Sequence, residues 1–81
     1  MITAIKEESV MMIIEVFKTN VQKVAQAERL VDLLLHHFPG SRVNFDLHDC
    51  DKILRVEGGN IKPEKVMLLV REKGFYCRVL E

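Results

Sequence analysis

One short run of this chain concentrates residue types that ligate metals. Asp46-Leu47-His48-Asp49-Cys50-Asp51 brings a thiol, an imidazole and several carboxylates close together, a ligand set that suits Zn²⁺. Such a run is far less specific than paired Cys-x-x-Cys, and closely spaced aspartates commonly serve tight turns by bonding their own backbone. No metal is therefore expected, and His48, Asp49, Cys50 and Asp51 stand as the candidate ligands should one bind. His36-His37 is a second histidine-bearing site. Adjacent helical residues do not face each other, so the pair is better read as complementing the negative end of a helix dipole. Gly58-Gly59-Asn60 lacks the spacing of a phosphate-binding loop and reads as a turn with positive backbone angles. Ser9 and Ser41 have no base in view, and a serine without a base is not a nucleophile. No catalytic residue is assigned and no cofactor is expected; the chain reads as a non-enzyme.

The elements that position these residues must fit one small domain. Eighty-one residues leave no room for a second core. A composition 48% hydrophobic and 30% charged is globular. Twelve basic and twelve acidic residues cancel, which argues against nucleic acid and against an anionic membrane as partners. No apolar run is longer than that of Val10 to Ile14, far short of the ~20 residues of a membrane-spanning helix. Residues 1–9 carry Lys6, Glu7 and Glu8 without the apolar stretch of a secretory signal. They are expected to be a flexible N-terminal segment ahead of a domain at 10–81, located in the cytoplasm. Two cysteines, Cys50 and Cys77, make no disulfide framework.

Val10 to Lys18 is rich in β-branched residues and predicts a strand. From about Gln22 to Phe38, Val24, Ala27, Leu30, Val31, Leu34, Leu35 and Phe38 recur at helical spacing, and Pro39-Gly40 stops the helix. Arg42 to His48 alternates around Val43, Phe45 and Leu47, then Lys52 to Glu57 around Leu54 and Val56, which predicts a hairpin turning at Asp49-Cys50-Asp51. Pro63 opens a second helix that ends at Gly74, and Phe75 to Leu80 is a last strand. This β-α-β-β-α-β order predicts an α+β, ferredoxin-like sandwich. Its four-stranded antiparallel sheet has the order 4-1-3-2, with two helices on one face.

Charge then sorts the strand faces. Glu15, Arg55 and Arg78 are placed outward, so Ile14, Val16, Val43, Phe45, Leu47, Leu54, Val56, Phe75, Cys77 and Val79 are the expected core. The uncovered sheet face is expected to carry Ile13, Glu15 and Phe17 on the first strand, Ile53 and Arg55 on the third, and Tyr76, Arg78 and Leu80 on the last. An apolar patch with a charged rim usually marks a contact surface. RNA-binding domains of this order stack bases on strand-three aromatics, and Lys52 to Glu57 contains none. Amino-acid-sensing domains let a ligand approach a first-loop glycine, also missing here.

The helix end Leu34-Leu35-His36-His37-Phe38-Pro39-Gly40, the strands Val43-Asn44-Phe45-Asp46-Leu47 and Leu54-Arg55-Val56, and Glu72-Lys73-Gly74-Phe75-Tyr76 carry a family resemblance. Over roughly Met12 to Leu80 the chain resembles the heavy-metal-associated domain of copper chaperones and metal-pumping ATPases. That family holds soft cations with Met-x-Cys-x-x-Cys between the first strand and first helix. The matching region here, Phe17-Lys18-Thr19-Asn20-Val21-Gln22-Lys23-Val24, has no cysteine, histidine or carboxylate, so no ligand carries over. The resemblance implies the fold, with a degenerate metal site. It also places the His48/Cys50 hairpin at the end of the sheet where the family binds metal.

The function expected is a small non-catalytic interaction domain that self-associates, as a homodimer, or docks protein through the open sheet face. The alternative is a zinc- or copper-handling domain using the His48/Cys50 hairpin.

Overall fold

The computed structural model describes residues 12–80. The segment 1–9 and the outermost residues of the 10–81 domain lie outside these. β-Branched residues flanking Phe17 favour an extended chain, and they form β1 (Ile13–Thr19). The helical stripe that follows becomes α1 (Val24–His37). It starts where the Gln26 Oε1 accepts a bond from the Lys23 backbone N at 3.3 Å. It stops as Phe38 N donates to Leu34 O at 2.8 Å and the Ser41 hydroxyl donates to Phe38 O at 2.6 Å. Gly40 turns the chain there with φ +84°, a conformation that L side chains rarely adopt. β2 (Arg42–Asp46) and β3 (Ile53–Gly58) form the hairpin. α2 (Pro63–Glu72) opens on the expected proline, and β4 (Cys77–Val79) closes the chain.

The sheet is four-stranded and antiparallel with the order β2-β3-β1-β4, the expected 4-1-3-2 order read from its other edge. Phe17 stands opposite both Leu54 and Val79, Val56 opposite Glu15 and Val43, and Thr19 opposite Cys77. Residues directly opposed in antiparallel strands share a face. That face carries Phe17, Leu54, Val56 and Cys77, which form one core with Ala27, Leu30 and Leu34 of α1 and Val66, Leu69 and Val70 of α2. Both helices therefore cover this face, and the architecture is α+β. The other face has no helix on it among the described residues.

The first strand corrects the sequence reading. Phe17 is 0% exposed and Ile14 is 58% exposed, so the helix-covered face holds Ile13, Glu15, Phe17 and Thr19 while Ile14, Val16 and Lys18 turn to the open side. Ile13 packs against the core. The inversion arose because Glu15 was placed outward by its charge. It sits on the core side, paired with Val56 of β3. β4 pairs only with Phe17, Lys18 and Thr19, so no β4 residue lies beside Glu15, and its side chain keeps partial exposure. Ile53 has the expected outward parity, opposite Asp46, yet is only 7% exposed.

Smaller corrections follow from backbone geometry. Neither Gly58 nor Gly59 is among the positive-φ glycines. Gly58 instead belongs to β3, where an added Cβ would stand 3.1 Å from both Ile61 Cδ1 and Ser41 Cβ. The β2 ladder ends at Asp46, so Leu47 and His48 belong to the turn. Leu33, rather than the 37%-exposed Leu35, packs on the core from α1.

Candidate functional site

Hydrogen bonds at one end of the sheet tie three loops together. Thr19, a buried polar residue, closes β1. Its backbone N donates to Asp51 O at 3.0 Å, and its hydroxyl donates to Lys52 O at 2.6 Å while accepting from Val21 N at 3.2 Å. The β1–α1 loop is thereby fastened to the hairpin tip. Asn20 accepts a bond from Tyr76 N at 2.8 Å through its Oδ1, fastening the same loop to the approach to β4. Sequence reasoning missed both roles. The available signal was a threonine–asparagine pair at the end of a largely apolar strand, residue types that readily bond neighbouring backbone.

The hairpin tip holds the candidate metal ligands. One donor atom each from Asp49, Cys50 and Asp51 lies within 4.8 Å of the others. Asp49 and Cys50 are exposed and Asp51 is half-buried. His48 falls outside this group, so the expected set of four is reduced to three. The carboxylates are also engaged locally. Asp49 Oδ1 accepts from Asp51 N at 2.8 Å and Asp46 Oδ1 from His48 N at 3.2 Å, while Lys18 Nζ stands 3.5 Å from Asp51 Oδ1. Lys52 takes a left-handed φ of 46° and its ammonium donates to Leu47 O at 2.9 Å. A single thiol with two carboxylates suits neither a soft cation, which favours several sulfurs, nor a hard one, which favours oxygen alone. The chemistry open to the cluster is weak cation binding.

Cys77 has a different environment. Burial pushes its thiol from 9.0 up to about 11, against the opposing charge of Arg71, so it stays protonated and unreactive at neutral pH. Arg71 Nε donates to the Cys77 carbonyl at 3.0 Å, which anchors α2 to β4. Both cysteines are free thiols. The His36 and His37 rings lie edge to face with centroids 5.6 Å apart.

The open sheet face is the broadest feature. Ile14 (58% exposed), half-buried Val16 and Leu80 (40%) lie side by side, because Leu80 N donates to Val16 O at 2.9 Å across β1 and β4. Tyr76, 44% exposed, lies by Lys18 toward the loop end. Arg55 and Glu57 of β3 stand directly opposite Val16 and Ile14, giving the apolar strip a charged border, and Arg78 stands opposite Lys18. Of the eight residues expected on this face, Arg55, Tyr76, Arg78 and Leu80 are exposed on it and Ile53 shares its parity. Ile13, Glu15 and Phe17 are not on it; Ile14 and Val16 take their place.

Comparison with known proteins found no matching family model, curated protein or solved structure. Among the described residues, no helix is long and apolar enough to cross a membrane.

Proposed function

We propose that this chain is a non-catalytic interaction domain of ferredoxin-like fold that docks protein, a second copy or another chain, through its open sheet face. The observation that carries this reading is the strip Ile14–Val16–Leu80, apolar, contiguous and bordered by charge on a face without a helix. Contact surfaces commonly combine an apolar centre with a polar rim. The order of elements and the strand order support an alpha-beta plait; the resemblance to a heavy-metal-associated domain with a degenerate ligand loop rests on the sequence segments that carry it. The buried Cys77 thiol stays protonated at neutral pH and is not offered as a nucleophile. Two free thiols fit a reducing compartment such as the cytoplasm.

A second reading, weak metal handling, is favoured by the convergence of Asp49, Cys50 and Asp51. Native mass spectrometry with and without Zn²⁺ and Cu(I) separates the two. The interaction reading expects subunit association without added metal and no stoichiometric metal adduct. A one-to-one adduct that disappears in Cys50→Ser would instead establish the hairpin as the working site.

A further inference from the structure

The outer strand β2 is Arg42-Val43-Asn44-Phe45-Asp46. It ends the sheet, and among the described residues no strand pairs with its outer edge. Exposed edges are commonly blunted by proline, by charged side chains and lysine above all, by shortness or by a bulge. This strand has neither proline nor lysine, and its register with β3 runs without interruption from Arg42↔Glu57 to Asp46↔Ile53.

From these features we infer that two copies of the chain pair edge to edge through β2, antiparallel and centred on Asn44. The strand is self-complementary in that register. Arg42 falls opposite Asp46 of the second copy, Val43 opposite Phe45, and Asn44 opposite its own counterpart, then the same contacts repeat by two-fold symmetry. Opposite charges facing each other across a strand pair are favourable and like charges are not, so this charge order selects a second copy in one register.

Packing behind the strand points the same way. Val43 and Phe45 lie on the core face but remain only half-buried. With Val24, Val31 and Leu47 they line an open groove of about 540 Å³ between α1 and β2, and Val24 is 65% exposed. In the paired arrangement, Phe45 and Val43 of each copy would extend the other's core face along this groove. Opposed residues share a face, so the two open faces lie on the same side of one eight-stranded sheet. The inference therefore goes beyond the open-face reading and leaves that face uncovered.

Charge reversal tests it by sedimentation equilibrium of the full chain at tens to hundreds of micromolar. Wild type is expected to dimerise. Arg42→Asp and Asp46→Arg each place like charges opposite one another and are expected to weaken dimerisation roughly tenfold or more, with circular dichroism unchanged. Mixed in equal amounts, the two variants oppose Asp with Arg at both positions and should form a heterodimer. The double variant Arg42→Asp/Asp46→Arg should dimerise again. A monomeric wild type, a dimer insensitive to both single substitutions, or a mixture that stays monomeric overturns the inference. A dimer abolished by Ile14→Asp but kept by both reversals would also overturn it, while supporting self-association through the open face.

Discussion

Replacing Phe17 by alanine should be among the most damaging single changes in this domain. The ring is 0% exposed, stands opposite Leu54 on β3 and Val79 on β4, and lies in a core that also draws on both helices. Deleting a buried phenylalanine side chain costs about 3–5 kcal/mol, the lost transfer energy plus the cavity left behind. A chain of 81 residues has a total stability of roughly 4–12 kcal/mol, so the change removes a quarter of it at least. In a domain of this size each kcal/mol lowers Tm by about 4–8 °C, which predicts a fall of roughly 12 °C or more. Urea unfolding followed by circular dichroism measures the loss directly, with the slope expected to stay constant. Ile14→Ala, on the other face and 58% exposed, should cost under about 1 kcal/mol. Phe17→Asp should unfold the chain outright, since a carboxylate there is buried without a partner. Comparable costs for Phe17→Ala and Ile14→Ala, or a folded Phe17→Asp, would refute the face assignment.

Thr19→Val removes the hydroxyl bonded to Lys52 O and Val21 N while keeping its shape; a loss of about 1–3 kcal/mol is expected by urea unfolding. The Cys77 thiol, raised from 9.0 to about 11, stays protonated in the folded state while the unfolded thiol ionises above its ordinary value. Its contribution is therefore fully present below pH 9 and lost as pH rises toward 11, by about 1.4 kcal/mol per pH unit. The difference in stability between wild type and Cys77→Ala, measured across that window, should show this slope; a flat difference would contradict it. At the hairpin, isothermal titration with Zn²⁺ and competition titration with Cu(I) should give no affinity tighter than micromolar, and a tighter site sensitive to Cys50→Ser would reverse that expectation.

The element order, the strand order and most of the core were legible because periodicity, Pro39-Gly40, Pro63 and Gly74 all act locally. Strands β2, β3 and β4 could be faced correctly because alternation and charge agree in them: Asn44, Arg55 and Arg78 all lie opposite an apolar set. In β1 they disagree. Glu15 and Lys18 have opposite parity, so each charge assigns Phe17 to a different face. Lys18 was the correct guide: it stands opposite Arg78 of β4, and its neighbour Phe17 is the residue paired with both β3 and β4. Glu15 lies where β4 has ended, a tertiary circumstance that the local sequence does not encode. The same limit hid Thr19 and Asn20, whose bonds reach Lys52 and Tyr76, far along the chain. His48 looked like a ligand by type and spacing, but where it lies relative to the Asp49–Asp51 group depends on the turn geometry.

Whether the open face docks protein is most directly tested by a photo-crosslinking residue placed at position 14, with a second variant carrying it at position 68. Leu68 is 52% exposed on α2 and Ile14 58% exposed on the sheet, so accessibility is matched while the faces differ. The purified chain at tens of micromolar, and the same chain in its native cellular extract, are irradiated and resolved by mass. The account predicts a discrete covalent adduct, to a second copy or to one other protein, from position 14 and little from position 68. No adduct from position 14, or equal adducts from both positions, would contradict it.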